Sequence, residues 1–176
     1  MATARKCHAC LVHEGRLWVM GGSDSQLSVL TAEVLDLSLP EDQWAWHTVA
    51  PLPSWHNGSF APAVGPLIYL PVAYGTDNDK LYDTSRDLWL AWEARGEGED
   101  GQRLSRDRPG VGQLAERIYL VGGAGMREAV SSVECWDGTA WRPVARLNKA
   151  REGPGVVGYG GKLYAIGKHT KHSPFF

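Results

Sequence analysis

Apolar positions along the chain fall in short runs rather than long ones. In the first fifty residues CHACLVH, GRLWVMGG, TAEVLDL and the Trp44–Val49 stretch are such runs, and Gly, Asp, Ser or Pro stand between them. Short or alternating apolar runs bounded by turn-forming residues predict β-strands joined by tight connections. No window sustains the apolar spacing of three and four that a helix longer than two turns needs. The pattern predicts an all-β chain.

The same pattern recurs. An aliphatic residue precedes an aromatic one at Leu17-Trp18, Ile68-Tyr69, Ile118-Tyr119 and Leu163-Tyr164, and the aromatics are 51, 50 and 45 residues apart. Thirteen positions before each aromatic stand Arg5, His56, Arg106 and Arg151. Three positions after the first and third come Gly21-Gly22 and Gly122-Gly123; the fourth has Gly167-Lys168, and the second has Val72-Ala73 behind Pro71. Further on, Leu35-Asp36, Tyr82-Asp83 and Trp136-Asp137 are followed by Trp44 or Trp46, Trp89 and Trp141. Ordered recurrence at a period near fifty predicts one four-stranded unit per copy.

As a set, these markers resemble the kelch repeat, and the third copy, Arg106 to Trp141, matches best. The resemblance implies a partial kelch β-propeller of the BTB–kelch type, all-β, with four-stranded antiparallel blades. It sets a propeller segment over 1–168, with repeats at approximately 5–53, 54–103, 104–148 and a partial 149–168, and a tail at 169–176. Physical chemistry gives the markers structural uses. Paired glycines permit positive φ and close approach of neighbouring strands. Aromatic residues fill the wedge between twisted sheets, and Asp after a third strand accepts local backbone hydrogen bonds in a turn. Pro71 and the missing glycines predict a distorted second strand, with a bulge, in the second copy.

Composition and charge then exclude partners and chemistries. The 18 basic and 20 acidic residues give a formal charge of −2, which leaves no basic footprint for nucleic acid. Three cysteines, an odd number at uneven spacing, fit a reducing, cytoplasmic setting. From Gln43 to Thr76 no charged residue occurs, but Pro51, Pro53, Pro62, Pro66 and Pro71 break the stretch, so a membrane span is excluded and a soluble protein expected. Cys7, His8, Cys10 and His13 lie on a predicted strand and point to opposite faces, so they cannot converge on one metal ion. The tail carries His169 and His172. Gly153, Gly155 and Gly158 run into the strand KLYAIG and not a helix, against a dinucleotide site. No metal, cofactor or catalytic residue is expected.

Recognition is left to loops. The connections after the double-glycine strands, Ser23–Thr31, Gly75–Lys80 and Ala124–Val130, carry Asp24, Gln26, Asp77, Asn78, Met126, Arg127 and Glu128, which form the expected partner-binding set. The mixed-charge stretch Glu93–Arg108 is expected to connect blades. By resemblance the function is protein–protein interaction, with substrate recruitment to a cullin-RING ubiquitin ligase as one form of it and not enzyme catalysis. The alternatives in the wider family are a galactose-oxidase or sialidase type of propeller enzyme and an actin-associated cytoskeletal scaffold. Three repeats and a half give about fourteen strands, short of the four to eight blades of a closed propeller. A piece of a longer kelch protein, prone to self-association through open strand edges, is therefore expected.

Overall fold

Tight turns between short runs leave each strand its sequence neighbours as partners, and every sheet is an up-and-down antiparallel meander. The computed structural model describes residues 1–25, 27–58, 60–71, 79–90, 108–125 and 128–167. The chain divides into two units, Met1–Trp92 and Glu93–Phe176.

In the first unit, β1 (Ala9–His13), β2 (Arg16–Met20), β3 (Ala32–Asp36) and β4 (Trp46–Val49) form one sheet in that order. A second sheet follows from β5 (Ala63–Val64), β6 (Leu67–Leu70), β7 (Lys80–Asp83) and β8 (Leu88–Leu90). In the second unit, β9 (Gly110–Gln113), β10 (Ile118–Val121), β11 (Val133–Trp136) and β12 (Trp141–Val144) form a third sheet, and β13 (Gly155–Tyr159) pairs with β14 (Lys162–Ile166). One 3-10 turn, Glu41–Gln43, is the helical element among the described residues. The fold is all-β, built from blade-like sheets, as the repeat pattern predicts.

The registers fix the repeat phase. Trp18 lies opposite Val34, Tyr69 opposite Leu81 and Tyr119 opposite Cys135, always second strand against third. Trp46 lies opposite Leu35, Trp89 opposite Tyr82 and Trp141 opposite Trp136. Trp46 is thus the repeat's tryptophan in the first copy; Trp44 precedes the strand, exposed, and its indole donates to the Leu39 carbonyl at 2.9 Å.

Alternation within strands sends one apolar row of each sheet toward its neighbour in the same unit. Trp18, Met20 and Ala32 meet Ile68, Leu70 and Tyr82, and the Trp18 and Tyr82 rings stand edge-on with centroids 5.8 Å apart. In the second unit Val121 and Val133 meet Val156, with Tyr119, Leu163 and Ala165 around them. Asp87 ties the first pair of sheets together from outside the core. Its Oδ1 accepts the Tyr82 hydroxyl at 2.6 Å and the Ala50 N–H at 2.7 Å, while the Trp89 indole donates to the Ala50 carbonyl at 3.0 Å. Burial, with the Asp87 carboxylate beside it, raises the Tyr82 hydroxyl well above the usual tyrosine range.

The third-strand aspartates act as the sequence leads one to expect. Oδ1 of Asp83 accepts the Ser85 N–H at 2.9 Å and its hydroxyl at 2.6 Å; Asp137 holds Thr139 and Asp36 holds Ser38 in the same way.

Among the described residues no bulge interrupts the second strand of the second copy. β6 pairs with β7 without interruption from Leu67↔Asp83 to Leu70↔Lys80. The Tyr69 N–H points to the first-strand side, to the Pro62 carbonyl at 2.9 Å. Two residues on, the N–H that Pro71 lacks belongs to that same side, where β5 has ended, so no ladder bond is lost to β7. The departure shows instead as a first strand of two residues. Val72-Ala73 lie outside the described residues.

Trp141 is buried on β12 against Trp136, with ring centroids 6.4 Å apart. Trp141→Ala is expected to cost about 3–5 kcal/mol of stability, read from denaturant melts. A melt that matches the parent would contradict this packing.

Candidate interaction surface

The basic residue that opens each repeat is the root of the surface. The Arg5 side chain is buried, and its Nη1 donates to the Gly21 carbonyl at 3.1 Å and the Thr31 carbonyl at 2.6 Å. Nη2 donates to Thr31 Oγ1 at 2.8 Å and pairs with the buried Glu33 carboxylate. Burial alone would raise the Glu33 carboxyl, but the Ala2 N–H at 2.7 Å and the Arg5 guanidinium outweigh it and hold the group below the ordinary range. One guanidinium thus clamps the end of the second strand to the start of the third. Arg151 repeats the first of these bonds, donating to the Gly167 carbonyl. Arg106 lies outside the described residues.

The backbone of that residue does a second task. The Gly22 N–H donates to the His56 carbonyl at 2.9 Å, and the Gly123 N–H to the Arg151 carbonyl at 2.7 Å. The second glycine of one sheet is therefore bonded to the basic residue of the next sheet in its unit. In each pair one glycine has no room for a side chain, Gly22 in the first and Gly122 in the second. Gly22 has φ of 90°, and a Cβ there would stand 2.6 Å from the Lys6 carbonyl oxygen; Gly122, at φ of 61°, would meet the Arg151 carbonyl. The glycines permit both the contact and the backbone conformation.

The second copy changes this device. His56 takes the place of Arg5, and Lys80, opposite Leu70, takes the place of Glu33, opposite Val19. Both are buried. Neither His56 nitrogen has a hydrogen-bond partner among the described residues. Burial, reinforced by the Lys80 charge, pulls the imidazole down to about 4. The adjacent Asp79, also buried, accepts the Tyr69 hydroxyl at 2.6 Å.

Beyond the paired glycines the chain makes two matching tips. The Asp24 N–H donates to the Leu27 carbonyl at 3.0 Å, and at the homologous place the Gly125 N–H donates to the Glu128 carbonyl at 2.8 Å. Val29 closes back on Gly22 and Val130 on Gly123, each at 2.9 Å. Bridges Ser23↔Ser28 and Ala124↔Ala129 complete these small hairpins. Asp24 also accepts the Leu27 N–H on Oδ1 at 2.7 Å, so part of its carboxylate shapes the turn. Glu128 is exposed at its tip. The two described members of the expected partner-binding set thus occupy corresponding hairpins in separate units. Gln26, Asp77, Asn78, Met126 and Arg127 lie outside the described residues. Sequence reasoning passed over Leu27, an aliphatic side chain 73% exposed at the first tip. Its signal was an isolated apolar residue within the polar run SDSQLS.

Comparison with known proteins agrees with the repeat reading. A family model described as Kelch motif matches residues 4–53. Kelch-like protein 28 of Homo sapiens is 29% identical over 107 residues, which cover 55% of this chain and 18% of that protein. The chain spans less than a fifth of that relative's length.

Two expectations follow from the buried basic positions. Arg5→Met removes one partner of a buried pair and strands the Glu33 carboxylate, at an expected cost of about 3–5 kcal/mol in denaturant melts. The depressed His56 value means that the unfolded chain binds a proton more readily than the folded one. Its contribution is complete above about pH 6.5 and is lost as pH falls toward 4. The loss is on the order of 3 kcal/mol. Melts across that window should slope for the parent and flatten for His56→Gln; equal slopes would refute the assignment.

Proposed function

We propose that the chain, whose residues 4–53 match the Kelch motif, is a kelch-repeat protein–protein interaction module that meets its partner with the hairpins and loops after the second strands. The observation that carries this reading is the repetition of one tip at residues 24–27 and 125–128, each seated on a double glycine bonded to the following repeat. Short hairpins on a braced framework present side chains at little cost in ordering on binding. The exposed Leu27 adds apolar contact area to Asp24, and Glu128 is exposed at the second tip. The sequence-derived positions Gln26, Asp77, Asn78, Met126 and Arg127 belong to the same proposed set.

One repeat is assigned to each sheet, at approximately 5–53, 54–103, 104–148 and a partial 149–168, with 169–176 beyond them. The role is binding and not catalysis. A finer form of it is substrate recruitment to a cullin-RING ubiquitin ligase in the cytoplasm, for which this stretch supplies the recruiting surface. Support for that form is the likeness to a Kelch-like relative. Among the described residues no helix is long and apolar enough to cross a membrane.

Affinity capture with mass spectrometry identifies the partner. The combined Asp77→Ala and Arg127→Ala change, and separately Leu27→Ser, should weaken capture while circular dichroism stays unchanged. Undiminished capture by both variants would remove the loops from the site.

A further inference from the structure

The seam between the two sheets of the first unit runs through a chemically reactive step. Of the chain's three asparagines, Asn57, Asn78 and Asn148, Asn57 alone is followed by glycine. Glycine in that place has no side chain to shield its backbone nitrogen, and its free rotation lets that nitrogen approach the asparagine's own carboxamide carbon. Asn57 is partly exposed and lies outside the strands, so water reaches it. The Asn57–Gly58 step is thus open to attack by its own main chain.

The fold holds that nitrogen. The Gly58 N–H donates to the Cys7 carbonyl at 3.1 Å, two residues after the His56 carbonyl accepts the Gly22 N–H at 2.9 Å. Cys10 and Phe60 then form a parallel bridge, so Gly58 and Phe60 run beside Cys7 and Cys10 in the same direction. While the Gly58 N–H is bonded it stays protonated and aimed at Cys7. The acceptor sits on costly backbone, because Cys7 has φ of 54°, a conformation that residues with a side chain hold at some expense. A seam of a few main-chain bonds, one of them on strained chain, opens more readily than the sheets on either side.

We propose that Asn57 is a site of spontaneous self-modification, converting to aspartate and isoaspartate when the seam opens, and that the Gly58–Cys7 hydrogen bond sets its rate. The Gly58 nitrogen attacks the Asn57 Cγ and gives up its proton. The new C–N bond closes a succinimide ring, the Cγ–Nδ2 bond breaks, and ammonia leaves with that proton. Water then opens the ring at either carbonyl. Opening at the Asn57 main-chain carbonyl leaves isoaspartate, with one extra main-chain atom between the His56 carbonyl and the Gly58 nitrogen. The two seam bonds cannot then both keep their spacing, and a carboxylate stands on the residue next to buried His56. Opening admits the modification, and the modification holds the seam open. The hairpin tips take no part in this, so either reading stands without the other.

The full chain and a capped peptide with the sequence of residues 54–60 are kept side by side in mildly alkaline buffer. Peptide mapping by mass spectrometry follows the change from Asn to Asp mass at position 57, and enzymatic methylation of isoaspartyl carboxylates measures the isomer. The chain should convert roughly ten- to a hundredfold more slowly than the peptide, since the seam must open first. Gly22→Ala, whose Cβ would meet the Lys6 carbonyl beside the seam, should bring the chain's rate toward the peptide's with circular dichroism unchanged. Where that variant does not fold, urea below the unfolding transition of the parent should raise conversion in step with hydrogen exchange of the Gly58 amide, read by NMR. Equal rates in chain and peptide overturn the proposal. So does the absence of product in the chain after about ten peptide half-lives, long enough to detect a roughly hundredfold slower conversion. A rate that moves with neither Gly22→Ala nor urea overturns it as well.

Discussion

The structure depends on a backbone hydrogen bond made possible by the absence of a side chain. The second glycine of one repeat gives its N–H to the carbonyl of the basic residue that opens the next, at Gly22–His56 and again at Gly123–Arg151. That carbonyl is a fixed acceptor, and positive φ turns the glycine amide toward it. A Cβ at Gly22 would press on the Lys6 carbonyl, and one on the first glycine of either pair would crowd the accepting carbonyl itself. The guanidinium of the same basic residue, where present, reaches back to its own repeat's first glycine. One residue therefore joins two levels of organisation: its side chain closes a sheet, and its carbonyl sets the spacing to the previous one. Apolar packing such as Trp18 on Tyr82 supplies most of the burial, but it is non-directional and would tolerate several alignments.

Much of this was legible in the sequence. The strand runs, the period near fifty and the turn-forming aspartates depend on local residue type, and local chemistry is what a linear pattern records. Register was legible too, because the aromatic of each second strand and the tryptophan of each fourth strand keep a constant offset. The choice between Trp44 and Trp46 was not, since both lie in one short apolar run; pairing with Leu35 decides it. Pro71 leaves β6 without a bulge among the described residues, and the reason is directional. A proline harms only the ladder to which its N–H would have pointed, and that side is a property of register and not of composition.

The buried polar device was invisible for a different reason. Arg5 and Glu33 are 28 residues apart, and nothing at either position alone announces the other. Only the pairing of β2 with β3 brings them together, and only the repeat alignment then shows that His56 and Lys80 answer to them. Asp24 and Glu128 fall in small hairpins because such turns follow from local residue chemistry. Leu27 escaped because an exposed aliphatic residue in a polar run looks unremarkable until its accessibility is known.

The exchange of Arg5 and Glu33 for His56 and Lys80 bears on how freely these repeats can be shuffled. A repeat array suggests interchangeable parts, each replaceable by a neighbour's copy. Here the third strand of the first repeat carries an acid suited to a guanidinium, and that of the second carries an amine suited to a neutral imidazole. Grafting β7 in place of β3 would set Lys80 against Arg5, two cations in a dry site; the reverse graft would set a carboxylate beside an imidazole whose protonation the burial resists. Each single crossing passes through a mismatched interior, while the joint replacement of both positions does not. The repeats share a backbone plan, yet recombination between them is viable only when the cut points keep the opening residue and its third strand together.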